Sequence, residues 1–298
     1  MPDGTEARGM RLVCWNILHG GSSRRLPLIA LGLAELRPDV VVLTEFHRAK
    51  GGSIRAVLAD LGLTHQADSH GHAAHPAAHP TAKNGILIAS RWELKDVCPG
   101  PAEALGADAP RWLEACVRPG SGWPRGLWVG GLHIPDDSRP TARARVWGHV
   151  LERARVWKDA DAVLAGDWNS GRHFVDEPGA TFSCTANLGR LWTMGYRDAF
   201  ESGAGRSGGV RGATWIAPAG WMPSGLASGD SGRDWARSRD AIAGLPQGKA
   251  GFRIDAVHLS SSVAAGAYRL EQADSLREMG ISDHSALMVE LGAPGEGV

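Results

Sequence analysis

Residues 39–45 read Asp-Val-Val-Val-Leu-Thr-Glu. Four consecutive apolar side chains between polar residues, three of them β-branched, form the pattern of a strand buried on one or both faces. The run follows Arg37-Pro38, which stops any helix before it. It ends on Glu45, a residue type with no special part in turns. The same design recurs: RLVCW (11–15) ends at Asn16, LWVGGL (127–132) at His133, and AVLAG (162–166) at Asp167, with Asn169 two residues on. Further strands are predicted over 85–90 (GILIAS), 112–118 (WLEACVR), 253–260 (RIDAVHLS) and 286–291 (ALMVEL).

Helical spacing fills the intervals. Pro27 opens a segment with Leu28, Leu31 and Leu36 at helical intervals. From Pro140 to about Lys158, Val146, Trp147, Val150, Leu151, Ala154 and Trp157 share one stripe, with arginines and Glu152 opposite. Shorter helices fit 53–61 and 188–195. Residues 112–118 and 127–133 read as an antiparallel pair around a Gly/Pro turn, so a mixed, layered α+β or α/β domain fits better than a doubly wound one.

Two segments depart from this pattern. Residues 65–80 hold five of the 12 histidines (His65, His70, His72, His75, His79) among Ala and Pro, a spacing that offers no single ligand face. This segment reads as a mobile loop, with transition-metal binding or substrate contact as the alternatives. Residues 202–252 hold 12 Gly and 3 Pro, which predicts a long irregular insertion. Within it, Trp215, Trp221 and Trp235 lie among arginines; they could stack bases or simply pin the loop to itself. Neither segment can supply a second core, so a single domain is expected over 9–293, with flexible termini at 1–8 and 294–298.

Composition excludes several classes. A hydrophobic fraction of 43% and a charged fraction of 21% exclude a disordered chain. With 32 basic and 32 acidic side chains the net charge is zero, which argues against bulk capture of nucleic acid but not against a local basic groove. No apolar run approaches the roughly 18 residues that cross a bilayer, and residues 1–10 (MPDGTEARGM) lack the apolar centre of a secretory signal. The cysteines at 14, 98, 116 and 184 show no C-x-x-C spacing. These features predict a cytoplasmic protein with reduced thiols and no membrane partner. No obligate protein partner is evident.

Strand ends of a packed sheet gather at one rim, so Asn16, Glu45, His133, Asp167 and Asn169 can meet, together with Asp283-His284 just before the last strand. Clustered carboxylates and carboxamides suit a hard cation such as Mg²⁺ or Mn²⁺, which relieves their repulsion. Histidines beside them can move protons near neutral pH. Together these groups suit phosphate ester hydrolysis. Plainer roles exist residue by residue: Asp167 could open a turn, and His284 could be a hydrogen-bonded core histidine. Asp255, inside an apolar strand, needs a partner, and His284 supplies one.

In order, WN (15–16), PDVVVLTE (38–45), GLH (131–133), GDWN (166–169), RID (253–255) and SDH (282–284) resemble the successive motifs of the endonuclease/exonuclease/phosphatase superfamily, deoxyribonuclease I-like enzymes among them. GILIASRW (85–92) and TW (214–215) match lesser signatures, and the resemblance spans residues 11–291. It implies a four-layer α/β/β/α sandwich of two mixed sheets flanked by helices, and a metal-dependent phosphodiesterase using in-line attack of an activated water. It assigns Glu45 to Mg²⁺ (or Mn²⁺), with Asn16 and Asp283 beside it. Asp167 and Asn169 would orient the attacking water and the scissile phosphate. Asp255 would fix the tautomer of His284, leaving the other ring nitrogen to act on phosphate or water. His133 matches the second histidine of the deoxyribonuclease I-like, sphingomyelinase-like and phosphatase branches, which sets the chain outside the apurinic-site repair branch.

Nucleic acid, DNA first, is the expected substrate. Arg139, Arg143 and Arg145 lie at a helix start just after His133, where phosphate binding is natural. Arg139, Arg143 and Trp215 are the candidate substrate contacts. A phospholipid or inositol phosphate phosphoesterase is the alternative; against it stand the lack of a membrane-docking stretch and Arg253-Ile254-Asp255 where the 5-phosphatase branch carries Cys-Asp-Arg. A catalytically silent binding protein would show a damaged metal site, whereas the whole residue set is present.

Overall fold

The computed structural model describes residues 9–70, 84–119, 123–177, 179–202, 213–216, 251–269 and 279–292. In chain order its strands are β1 (Met10–Asn16), β2 (Val40–Phe46), β3 (His65–Asp68), β4 (Gly85–Ser90), β5 (Leu94–Pro99), β6 (Trp112–Val117) and β7 (Leu127–His133). They continue with β8 (Ala162–Asp167), β9 (Arg197–Asp198), β10 (Trp215–Ile216), β11 (Gly251–Phe252), β12 (Asp255–Leu259), β13 (Ala264–Arg269) and β14 (Leu287–Gly292). The helices are α1 (Leu26–Leu36), α2 (Gly51–Asp60), α3 (Ala102–Leu105), α4 (Pro140–Val156), α5 (Ala186–Thr193) and α6 (Ala199–Ser202).

Two six-stranded mixed sheets, ordered β13-β14-β1-β2-β4-β3 and β5-β6-β7-β8-β12-β9, pack face to face with helices outside, giving the four-layer sandwich. Each sheet holds one parallel pair joined by a helix: β1 and β2 across α1, and β7 and β8 across α4. Both faces of these strands are covered, which is why they read as unbroken apolar runs. Leu12, Cys14, Val40, Val42, Val129, Val163, Ala165 and Val257 pack between the sheets. The alternate residues Val13, Trp15, Val41 and Leu43 face α1 and α2; Leu132, Leu164 and Ala256 face α4 and α5.

This alternation places the site. Residues 12 and 14 of β1 face the partner sheet, so Asn16 continues that stripe; the same parity carries β7 to His133, β8 to Asp167, and β12 back to Asp255. Polar groups therefore finish the inward stripe at one mouth of the sandwich, beyond the carboxyl ends of the parallel strands, where α/β sheets commonly bind ligands. The backbone is tight there: a Cβ on Gly166 would lie 1.8 Å from the Leu132 carbonyl oxygen, so only glycine lets β8 run beside β7 into Asp167.

Every strand and helix predicted from hydrophobic pattern is present, with ends shifted by no more than two residues. α1 carries Pro27 in its first turn and ends on a left-handed Arg37. The antiparallel pair of β6 and β7 forms as expected. The edge strands β3, β5 and β13 have no counterpart in the prediction. β5 is largely exposed and polar (LKDVCP), so it lacks the apolar signal that burial imposes. β3 corrects the loop expectation for residues 65–68, where His65 begins an edge strand beside β4. The rest of the histidine-rich segment from residue 71, like most of the 202–252 insertion with Trp221 and Trp235, lies outside the described residues. The four cysteines are free thiols. Among the described residues, no helix is long and apolar enough to cross a membrane.

Candidate active site

Glu45 owes its aim to a break in the sheet. The β2–β4 register slips between Thr44 and Phe46, and Glu45 sits in the slip with φ of 58°. Strict alternation would turn its side chain toward the helices with Val41 and Leu43; the bulge releases it to the mouth. A left-handed glutamate costs on the order of 1–3 kcal/mol, which surrounding contacts must offset. Those contacts come from the turn after β1: the His19 backbone N–H donates to Glu45 Oε2 at 2.7 Å, and the His19 ring Nδ1 lies 2.8 Å from the same oxygen. Asn16 Nδ2 reaches Glu45 Oε1 at 3.4 Å and donates to Asp167 Oδ2 at 3.0 Å, tying the ends of the two sheets together.

Asp167 is the centre of the second group. Its Oδ1 accepts the Asn169 backbone N–H at 3.0 Å, while His133 Nε2 lies 3.6 Å and His284 Nε2 4.0 Å from Oδ2. His284 Nδ1 pairs with Asp255 Oδ2 at 2.8 Å. Asn169, itself left-handed at φ of 43°, is pinned by its Nδ2 donating to the Ile134 carbonyl. Trp215, half-buried against Phe252, bridges to His284 through the backbone and donates its ring N–H to Asp283 Oδ2 at 3.3 Å.

Burial and like charge govern the electrostatics. Desolvation, then the Asp255 charge, raise the Asp167 carboxyl to about 7; the His284 charge and the hydrogen bonds from Asn169 and Asn16 pull against that rise. For His284, desolvation pulls the ring pKa down, but the charge and hydrogen bond of Asp255, with Asp167 and Asp283 behind, outweigh it and lift the ring to about 10. His133 goes the other way. Burial, then the charges of Arg111, His284, His19 and Arg139, hold it well below its usual value, so its contact with Asp167 is that of a neutral imidazole rather than an ion pair.

The structure thus brings Asn16, Glu45, His133, Asp167, Asn169, Asp255 and His284 to one mouth, with Asp283 and Trp215 at its edge. The arginines divide. Arg139 is half-exposed and, with Arg111 and Arg145, gathers around the buried Asp108 at 2.8, 3.5 and 3.8 Å. Arg111 and Arg139 act on the His133 ring, while Asp108, Asp167 and Asp136 act on Arg111, so both signs of charge meet there. Arg143 corrects the sequence-based expectation of a substrate contact, because its side chain is 0% exposed. It donates to the carbonyls of Pro135 (2.7 Å), Asn169 (2.8 Å) and Ser183 (2.9 Å) and to Ser170 Oγ (2.7 Å). With Nε also 3.2 Å from Asp137 Oδ1, its partners all lie in the loops after β7 and β8, leaving it no reach to a substrate. The hydrophobic pattern places it on the polar side of α4, yet the loops fold over it.

Two residues of the mouth carry no signal in the strand-end pattern. His19 lies in the turn after β1, where the following Gly20-Gly21 hints at left-handed backbone. Arg111 precedes β6 without any local mark; its Nη1 reaches the His133 carbonyl oxygen at 3.4 Å.

The residues fit a hard divalent cation. The Asp255 Oδ1 oxygen is buried and has no hydrogen-bond partner, and Asp167, Asp255 and His284 offer ligand atoms within 4.8 Å of one another. A second positive charge would relieve the facing carboxylates. A ring held protonated to about pH 10 is a poor ligand, since metals bind neutral imidazole. The carboxylate oxygens of Glu45 and Asp167, bridged by Asn16 Nδ2, are therefore the better cation seat.

The family model described as Endonuclease/Exonuclease/phosphatase family matches residues 13–284 of this chain. No curated protein matches it. Among solved structures, the chain is similar to the 3′ phosphatase NExo from Neisseria bound to product DNA hairpin, with TM-score 0.63 and 20% identity, over 94% of this chain and 98% of that one. An AP endonuclease from Archaeoglobus fulgidus superposes with TM-score 0.60 at 18% identity, over 94% and 98%. TDP2 from C. elegans does so with TM-score 0.57 at 16% identity, over 95% and 75%. At such identities these likenesses speak for the fold.

Proposed function

Because this chain belongs to the endonuclease/exonuclease/phosphatase family, we propose that it is a metal-dependent phosphodiesterase that hydrolyses nucleic acid, DNA first, by in-line attack of a water on a phosphodiester. Phosphoester hydrolysis is the chemistry of the family. The observation that carries the reading is the contact chain Glu45–Asn16–Asp167–His284–Asp255, in which hard oxygen donors run into a carboxylate-held imidazole. Support for a nucleic acid comes from the half-exposed Arg139 near His133, free to reach a phosphate, and from a neighbour solved with a product DNA hairpin.

Glu45 and Asn16, with Asp167 and Asp283 nearby, would hold Mg²⁺ or Mn²⁺, and the bound ion would offset phosphate charge. The protein groups divide the remaining work. Asp167, buried opposite Asp255, takes the proton of the attacking water, while Asn169 orients the phosphate. Asp255 keeps His284 cationic, so that its Nε2–H can give a proton to the leaving oxygen as the P–O bond breaks, balancing the proton that Asp167 takes. His133, neutral, donates a hydrogen bond without adding charge. Arg139 and Trp215 contact the substrate beyond the scissile bond.

The test incubates purified protein with supercoiled plasmid, single-stranded DNA, RNA, sphingomyelin and inositol polyphosphates, with Mg²⁺ or EDTA, alongside Glu45→Gln and His284→Ala. Mg²⁺-dependent cleavage of nucleic acid that both substitutions abolish is the expected result. Release of phosphocholine or inorganic phosphate with nucleic acid left intact would sink it.

A further inference from the structure

We propose that His19 is a positioning residue for Glu45, and that the turn after β1 is held in a strained conformation to put it there. The inference rests on the reading of Glu45 as a cation ligand.

Leu18, His19, Gly20 and Gly21 are all left-handed, with φ of 49°, 52°, 74° and 68°. Gly21 N–H closes the turn onto the Ile17 carbonyl at 3.2 Å, so the segment is a single turn of left-handed helix. Glycine enters that conformation freely; leucine and histidine do not. The turn has no room to relax on one side, since a Cβ on Gly20 would meet His47 Cβ at 2.4 Å. Strain in a short loop persists only where neighbouring contacts over-determine it, and it marks a position whose geometry matters.

What the turn achieves is specific. It delivers the backbone N–H and the ring Nδ1 of the same residue to one oxygen, Glu45 Oε2, at 2.7 and 2.8 Å. Among the described residues, the other oxygen, Oε1, keeps only the long 3.4 Å contact from Asn16. The carboxylate is thereby rotated so that Oε2 is occupied and Oε1 faces the mouth. The His19 ring is 69% exposed, so burial cannot explain the conformation. Second-layer partners of this kind fix the orientation of ligating groups.

The experiment measures Mn²⁺ binding by electron paramagnetic resonance on the full chain without substrate, together with thermal melting. Four proteins are compared: wild type, His19→Gly, His19→Asn and Glu45→Gln. His19→Gly keeps the backbone N–H and releases the strain; it should melt no lower than wild type yet bind Mn²⁺ about tenfold more weakly. His19→Asn tolerates a left-handed backbone and places its amide nitrogen near the position of Nδ1; it should restore affinity to within about threefold. Wild-type affinity in His19→Gly, with Glu45→Gln defective, overturns the role of His19. A lower melting temperature for His19→Gly overturns the strain. Undiminished affinity in Glu45→Gln sinks the cation seat itself, a result distinct from both.

Discussion

Asp167, the last residue of β8, and Asp255, the first of β12, are direct cross-strand partners in an antiparallel ladder, both on the face between the sheets and both buried. Like charges opposed in this way destabilise a sheet. His284 answers both, with Nδ1 on Asp255 and Nε2 toward Asp167. The site is built around a charge conflict that the His284 imidazolium meets from both sides.

Asp255→Asn should therefore lower the His284 pKa from about 10 toward its ordinary range, because the charge that outweighs burial is gone. Activity should fall by about 10²–10⁴, the loss typical of a mis-set imidazole, while Mn²⁺ affinity changes far less than in Glu45→Gln. Nuclear magnetic resonance titration of the ring protons and a binding isotherm check both. An equal loss of metal affinity would refute the orienting role of Asp255.

Arg143→Ala removes a buried cation that ties the backbones of residues 135, 169 and 183. Leaving those carbonyls unsatisfied should cost about 3 kcal/mol or more, read as a lower urea midpoint. In the folded fraction, kcat should drop through displacement of Asn169, with KM nearly unchanged. A raised KM at constant kcat would restore Arg143 as a substrate contact.

Arg139→Ala should behave in the opposite way. The side chain is half-exposed and its removal leaves Asp108 two arginine partners, so the melting temperature should hold. KM for DNA should rise, and the slope of log binding constant against log salt should shrink by about one. An unchanged salt slope would remove Arg139 from the phosphate path.

Stability should fall in mild acid at a site remote from the mouth. Burial, then the Arg153 charge, lower the His149 ring on α4 to about 4 from an ordinary 6.5. Above pH 6.5 both folded and unfolded chains hold it neutral. Between 6.5 and about 4 only the unfolded chain takes the proton, so folding stability declines across that window and levels off below it. His149→Gln should flatten part of the decline in urea midpoints measured from pH 7 to 4.

Much of this was legible in the chain. DVVVLTE, RLVCW and AVLAG announce buried strands because burial imposes unbroken apolar runs, and the polar residue ending each run marks where cover stops. Edge strands β3 and β5 face solvent, carry no such imprint and went unread. Arg143 misled because charge on a helix start predicts exposure, and only the loops folding over it show otherwise.

The inner strands, the approximate ends of the longer helices and the residue types at the strand ends were determined by the sequence alone, since they follow from local periodicity and burial. The meeting of Glu45 with Asp167 through Asn16, the opposition of Asp167 and Asp255, and the seat of His19 were decided only by the tertiary structure. They depend on sheet order, ladder register and one bulge, and these are settled by contacts between segments far apart in the chain.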